Sequence, residues 1–373
     1  MTRLRFDFPA DATGADMPLH FAAPREQLVA REPQDVRAVL ARADALARAG
    51  AWVAGFVCYE AGAAFDPAFR FRQRPALPLA WFGVFDGPYD AVEPPHAAAR
   101  CDSWQPGVER DRYDADIDRI LGHIRAGDVY QINHTIRLCG RFDGDHRALY
   151  EHLRAGQPMG YCALLDLGRH RILSLSPELF FRRDGERLIS KPMKGTLARG
   201  STPEQDARHA AALAASEKNR AENLMIVDLI RNDMSRVARP HTVSVPHLFS
   251  VETYPTVFQM TSTVSAELRP EAGLADIFAA LFPCGSITGA PKIKAMEIIA
   301  GLETAPRGIY CGAIGLLKPG GDAIFNVAIR TLALDGLTGR AEYGVGGGIT
   351  ADSVAHDEYE EMRAKARILR CAA

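Results

Sequence analysis

Three apolar runs decide the architecture: Ile309-Tyr310-Cys311-Gly312-Ala313-Ile314-Gly315-Leu316-Leu317, then Ile324-Phe325-Asn326-Val327-Ala328-Ile329-Arg330-Thr331-Leu332-Ala333-Leu334, then Arg340-Ala341-Glu342-Tyr343-Gly344-Val345. Each has strand length and composition. They follow one another as sequential strands. Working outward, Val129 to Leu138 and residues 161–166, 171–175, 179–183, 242–251 and 256–267 read as further strands. Trp52 to Tyr59 and Leu79 to Phe85 read as strands nearer the N-terminus. Helical periodicity covers Arg37 to Arg48, Tyr113 to Ala126, about Glu204 to Val237, and Asp352 to Leu369. Strands and helices do not alternate strictly, which argues against a doubly wound parallel sheet and for an α+β fold with large antiparallel sheets. Residues 1–105 form an N-terminal part and 106–373 the region richer in motifs. The stretch from Asp86 to Gly107, with Pro88, Pro94, Pro95 and Pro106, is the linker candidate.

The 373 residues are 47% hydrophobic and carry a net charge of −2, so a sizeable core is available and no polyanionic partner such as nucleic acid is indicated. No run approaches the length needed to span a bilayer, and the N-terminus lacks a signal peptide's apolar segment. Seven cysteines, none in a CxxC pair, read as reduced thiols of a cytoplasmic protein.

Several residues can carry chemistry. Glu358 and Glu361 share a face of the last helix, with Lys365 one turn on; Glu222 lies on the long helix, three residues after Asn219 and four after Lys218. Acids from two helices can grip a hard divalent cation such as magnesium, or can be ordinary solvated faces. Tyr343-Gly344-Val345-Gly346-Gly347-Gly348-Ile349, between a strand and that helix, is a glycine turn or an anion cradle. Arg330, at a strand end, is a surface cation or a bidentate carboxylate clamp. Lys194 in Lys191-Pro192-Met193-Lys194-Gly195-Thr196 is a solvated lysine or, if desolvated, a nucleophile. The hydroxyls of Gly285-Ser286-Ile287-Thr288-Gly289-Ala290-Pro291-Lys292 cap the following helix or bind an anion at its start.

Taken together, these blocks resemble the chorismate-utilising enzymes over residues 112–369. The resemblance is carried also by Gly127-Asp128-Val129-Tyr130-Gln131-Ile132-Asn133, Ala221 to Asp233 and Arg307 to Gly315. It implies the anthranilate synthase component I-like fold, two large mainly antiparallel sheets packed as a sandwich with flanking helices. It also implies a magnesium ion held by Glu222 and Glu361 with Glu358 in its outer sphere, binding the ring carboxylate of chorismate. Tyr310 and Arg330 match residues that hold the enolpyruvyl carboxylate. Backbone around Gly346, Gly347 and Gly348 matches a carboxylate contact, Lys365 a lysine near the metal, and Ser286 a hydroxyl near the substrate.

Two positions separate the subfamilies. Lys194, in a Pro-x-Lys-Gly-Thr motif that includes Thr196, is similar to the nucleophile of aminodeoxychorismate synthases, where anthranilate synthases have Ala. Gln131 stands where isochorismate and salicylate synthases place a lysine base, and an amide cannot deprotonate water. The chain departs from many relatives at Gln259, where they carry His, at Met193 and at Asn219. The resemblance thus implies amination of chorismate to 4-amino-4-deoxychorismate, toward 4-aminobenzoate and folate. Ammonia would come from a glutamine amidotransferase subunit, since no such domain is recognisable here. The rivals are anthranilate synthase component I and a non-catalytic chorismate-binding homologue.

Overall fold

Burial, more than propensity, explains which strands form. The fold is that of a computed structural model describing all residues except 16, 73, 92–97, 157–159, 255–256 and 373, and the side chains up to residue 369. Two antiparallel sheets carry it. The nine-stranded sheet runs in the order Gly289–Ala290, Gln131–Gly144, Arg340–Ile349, Thr331–Asp335, His170–Ser176, Tyr161–Asp166, Arg3–Asp7, Leu19–Ala22, with Ala99–Pro106 also paired to Gln131–Gly144. The ten-stranded sheet runs Met193–Ala198, Val257–Glu267, Arg187–Lys191, Leu179–Asp184, Ala323–Val327, Ala313–Leu317, Trp52–Val57, Ala80–Phe85, Glu26–Ala30, with Ser244–Thr253 also paired to Val257–Glu267. The three runs that open the sequence reading split between the sheets. Ala313–Leu317 pairs with Ala323–Val327 in one, and Thr331–Asp335 with Arg340–Ile349 in the other. The chain changes sheet at Ala328–Arg330, and Arg330 takes a left-handed φ of 49° there.

Phe6, Ala163 and Ile172 of the first sheet meet Phe56, Ile314, Leu316 and Ile324 of the second, so the sandwich interior is apolar. Helices cover both outer faces. Pro33–Arg48, Glu217–Ser235 and Leu274–Leu281 pack through residues such as Val36, Ile226 and Phe278 on the second sheet. Arg110–Arg125, His146–Ala155, Lys292–Leu302 and Ala355–Lys365 pack through residues such as Ile117, Leu149, Ile299 and Met362 on the first. Strands of the N-terminal part belong to both sheets, Arg3–Asp7 pairing with Tyr161–Asp166 and Trp52–Val57 with Ala313–Leu317. Among the described residues no helix is long and apolar enough to cross a membrane.

Four readings need correction. The helix expected from Glu204 to Val237 is two, Pro203–Ala215 and Glu217–Ser235. Ser216 takes extended dihedrals and its hydroxyl accepts the N–H of Asn219, starting the second helix afresh. The last helix is shorter than expected, Ala355–Lys365, and continues as a tighter 3-10 turn. Part of the proposed linker is a strand, because Ala99–Pro106 can pair along Gln131–Gly144; Pro94 and Pro95 lie outside the described residues. The glycine run lies inside the strand Arg340–Ile349, laddered to Gln131–Gly144, and not in a turn.

Candidate active site

Lys194 sits on the edge strand Met193–Ala198 of the second sheet, where its side chain reaches across to the first. Its Nζ stands 3.1 Å from the point a Cβ on Gly348 would occupy, and Gln131 Nε2 stands 3.0 Å from the same point. Any side chain at Gly348 would crowd both the lysine and the amide. Glu222 Oε2, from the helix Glu217–Ser235, lies 3.9 Å from Lys194 Nζ. Burial lowers the lysine's pKa from its ordinary value, while the Glu222 charge pulls it back up. The strand is held at its neighbour: Thr196 Oγ1 donates to Gln259 Oε1 at 2.7 Å, and Gln259 Nε2 donates to the Gly195 carbonyl at 2.8 Å. Both ends of the Gln259 amide are therefore taken up in fixing the strand beside Lys194. Gly195 itself has φ +78° with Asn219 packed beneath it, a position only glycine occupies without strain.

The other half of the site lies round the edge of the strand Arg340–Ile349. Its pairing with Thr331–Asp335 ends at Leu332 opposite Tyr343, while its pairing with Gln131–Gly144 runs to Ile349. Residues 344–349 thus have one edge without a strand partner among the described residues. Lys365 Nζ donates to the Gly346 carbonyl at 2.9 Å. A strand residue's N–H and C=O point the same way and alternate along the strand, so the N–H groups of Gly346 and Gly348 face the same open edge. On the strand's outer face, Glu358 Oε2, Lys365 Nζ and Glu361 Oε1 lie 3.3, 3.5 and 3.9 Å from where a Gly347 Cβ would be. The glycines let Lys194 and Gln131 approach the strand from one face and Glu358, Glu361 and Lys365 from the other.

Arg330 and Tyr310 flank this gap. Arg330 precedes the strand Thr331–Asp335, and among the described residues no hydrogen bond or ion pair engages its guanidinium; burial lowers its pKa. A half-buried, unpaired arginine at an open backbone edge suits an anion. The Tyr310 ring lies over Gly344, 2.2 Å from a built Cβ, with the Arg137 guanidinium 5.0 Å from its centroid. No contact ties Tyr310 or Arg330 directly to Lys194. A cavity of about 180 Å³ lies beside the site, with Tyr310 and Gly344 in its wall.

Glu178 was not singled out in the sequence. It is 4% exposed, between two strands, and burial pushes its carboxyl up to about 7. The nearby Ser286 hydroxyl and the Lys194 charge draw it down, which places it in the same electrostatic cluster. Its signal was an acid, Pro177-Glu178-Leu179-Phe180-Phe181, opening an apolar strand. Ser286 does not cap the helix Lys292–Leu302, whose start has no side-chain cap; its Oγ lies 3.2 Å from Cys284 Sγ. Thr288 Oγ1 likewise donates to the carbonyls of Cys284 and Gly285, so the hydroxyls expected to cap are spent within their own turn. Gln131 is fully buried with neither amide atom hydrogen-bonded among the described residues, an uncompensated cost of about 1–3 kcal/mol unless a ligand supplies the partner.

The carboxylates fit a hard cation. Burial raises the Glu358 carboxyl and the neighbouring Glu361 charge adds to it. Glu361 is pushed up by burial but carried lower overall by Lys365, whose Nζ is 2.7 Å from Glu361 Oε1. Among the described residues no three metal-ligating side chains are already gathered as a cage. The donor set is oxygen only, as a hard cation prefers, and Lys365 and Lys194 stand against Glu361 and Glu222.

Residues 89–370 match the family model described as chorismate binding enzyme. The aminodeoxychorismate synthase of Streptomyces griseus is 44% identical over 77% of this chain and 40% of its own length. Aminodeoxychorismate synthase component 1 of Escherichia coli (strain K12) is 42% identical over 72% of this chain and 59% of its own length. The chain thus spans about half the length of these curated relatives. The crystal structure of anthranilate synthase component I from Streptococcus pneumoniae TIGR4 superposes with a TM-score of 0.82 at 26% identity, covering 93% of this chain and 90% of that one. With the family match extending over the whole two-sheet site, the chain belongs to the chorismate binding enzymes.

Proposed function

We propose that this chain aminates chorismate at C4, acting as an aminodeoxychorismate synthase component 1. The observation that carries the reading is Lys194. It is a largely shielded amine, 15% exposed, with lowered proton affinity, aimed over glycine at the interface of the two sheets. An amine in that state is a nucleophile. Its Nζ attacks C2 of the ring; the C1=C2 electron pair moves to C1–C6, the C5=C6 pair moves to C4–C5, and the 4-hydroxyl leaves. Glu178, whose carboxyl is held at about 7, is protonated in much of the population near neutrality and gives the departing hydroxyl its proton. Water is the product of that step. Ammonia then adds at C4, the double bonds return to C5=C6 and C1=C2, and the C2–N bond to Lys194 breaks with its electron pair staying on nitrogen.

The substrate's anionic groups find separate partners. Arg330 and the N–H groups of Gly346 and Gly348 suit one carboxylate, and Tyr310 closes the same side. Magnesium, held by Glu222 and Glu361 with Glu358 behind, would supply charge for the ring carboxylate. The unpaired Gln131 amide is placed to hydrogen-bond ligand and cannot serve as a base for water addition, which disfavours isochorismate formation. The relative in Escherichia coli is called a component 1; a glutamine amidotransferase partner delivering ammonia, in the cytoplasm, completes the proposal.

Product analysis tests it. The protein is mixed with chorismate, Mg²⁺ and an ammonium salt at alkaline pH, and products are resolved by chromatography and mass. A 4-amino-4-deoxychorismate peak that an added lyase converts to 4-aminobenzoate supports the reading. Anthranilate would mean that Lys194 does not set the outcome, and isochorismate or salicylate that Gln131 does not. No turnover, even with an amidotransferase supplied, would leave a non-catalytic chorismate-binding protein.

A further inference from the structure

We propose that Glu60, in the N-terminal part, is a positioning residue that sets the loop carrying Tyr310 by holding the backbone N–H groups of Arg307 and Gly308. Glu60 lies on the short turn Tyr59–Ala64 and is 6% exposed. Its Oε1 accepts the Arg307 N–H at 2.6 Å, and its Oε2 accepts the Gly308 N–H at 3.0 Å. The preceding residue grips the same place from the other side, the Tyr59 N–H donating to the Gly308 carbonyl at 2.8 Å. Two residues further along lies Tyr310.

The loop needs an outside hold. Gly308 has φ +61° and Cys311 φ +63°, so two left-handed residues bracket Tyr310 before the strand Ala313–Leu317 begins. A non-glycine residue in that region costs energy and persists where its surroundings over-determine it. Arg307 divides its work accordingly. Its backbone is held by Glu60, while its fully buried guanidinium donates to Glu303 at 2.7 and 2.9 Å, to the Ile287 carbonyl at 2.6 Å and to the Asn133 carbonyl at 2.8 Å. Ile287 follows Ser286, and Asn133 pairs with Gly348. Glu303 in turn accepts the N–H and hydroxyl of Thr135, which pairs with Gly346. The Tyr59 ring lies 4.6 Å from the same guanidinium. Glu60 is thus the anchor from the N-terminal part for a network that ties the Tyr310 loop to the Ser286 turn and to the glycine edge. No side-chain cation hydrogen-bonds Glu60 among the described residues, so its carboxylate is committed to backbone N–H groups.

Glu60→Gln tests this in the full chain. The amide keeps the shape, but it offers one acceptor and an NH₂ where the carboxylate offers two acceptors. Hydrogen exchange of the amides in 307–311 is compared between wild type and variant by mass spectrometry or NMR, and steady-state kinetics with chorismate by KM and kcat separately. Faster exchange confined to that segment is expected, with KM raised about tenfold and kcat within about threefold, as for loss of binding shared by ground and transition states. Glu60→Asp, shorter but still charged, is expected to fall between them and serves if Glu60→Gln does not fold. The kinetic half rests on Tyr310 contacting substrate as under Proposed function; the exchange half does not. Tyr310→Phe combined with Glu60→Gln should therefore give a KM effect well short of the product of the two. Unchanged exchange in 307–311, or fully multiplicative effects on KM, overturns the proposal. If Tyr310→Phe alone leaves KM unchanged, the reading of Tyr310 as a substrate contact fails, and the exchange result still decides Glu60.

Discussion

Replacing Glu178 by Gln should make the protein more stable at alkaline pH while removing most of its activity. Burial raises the Glu178 carboxyl from 4.5 to about 7. A raised folded value means that the folded protein binds the proton more tightly than the unfolded chain does. The stabilising contribution is fully present below about 4.5 and is lost as the pH rises through about 7. At 1.36 kcal/mol per pH unit of difference, the loss between those limits amounts to about 3 kcal/mol. Gln cannot titrate and keeps the shape. Urea unfolding of wild type and Glu178→Gln at pH 5 and pH 8.5 should therefore show a wild-type decline steeper by about that amount, other buried acids such as Glu60 cancelling in the difference. If Glu178 gives the leaving hydroxyl its proton, turnover of the variant should fall about 10²–10⁴-fold. The wild-type kcat/KM should also decline as the pH rises through about 7. Parallel stability profiles would show that Glu178 is not the buried acid the geometry indicates. Full turnover in the variant would remove it from the chemistry.

Three further outcomes follow from the site. Lys194→Ala should abolish 4-amino-4-deoxychorismate formation and the chorismate-derived mass adduct seen on rapid quenching of wild type; an adduct that persists would place the nucleophile elsewhere. Gly348→Ala puts a Cβ about 3 Å from Gln131 Nε2 and Lys194 Nζ. Turnover should fall about tenfold or more with Tm within a few degrees of wild type, and undiminished turnover would mean that the positions of lysine and amide beside Gly348 do not matter to the chemistry. Glu361→Gln should raise the magnesium concentration needed for half-maximal activity and lower turnover together; an unaltered magnesium titration would take Glu361 out of the metal site.

Much of the fold was legible because its signals are local. Successive apolar runs read as sequential strands, and the sheets contain them. The breaks were less legible. Ser216 interrupts a helical pattern by capping, with no glycine or proline to announce it. The strand Ala99–Pro106 alternates weakly and exists because Gln131–Gly144 offers it an edge. The glycine run looked like a turn, since glycine is rare inside strands, and here it thins a strand so that side chains can approach from both faces.

The sequence by itself determined the residue types and their spacing: the lysine, the acids on two helices, the glycines, and through them the family. These are chemical identities, and motif order preserves them. Tertiary structure alone decided how the two sheets bring them together. Lys194 comes from the second sheet and Gln131 from the first, and both can end about 3 Å from where a Gly348 Cβ would stand because glycine leaves that place empty. Glu178 becomes an acid with a carboxyl near 7 through burial, and Glu60 reaches Arg307 across 247 residues of chain. Desolvation and long-range contact are properties of packing, which no local stretch of sequence encodes.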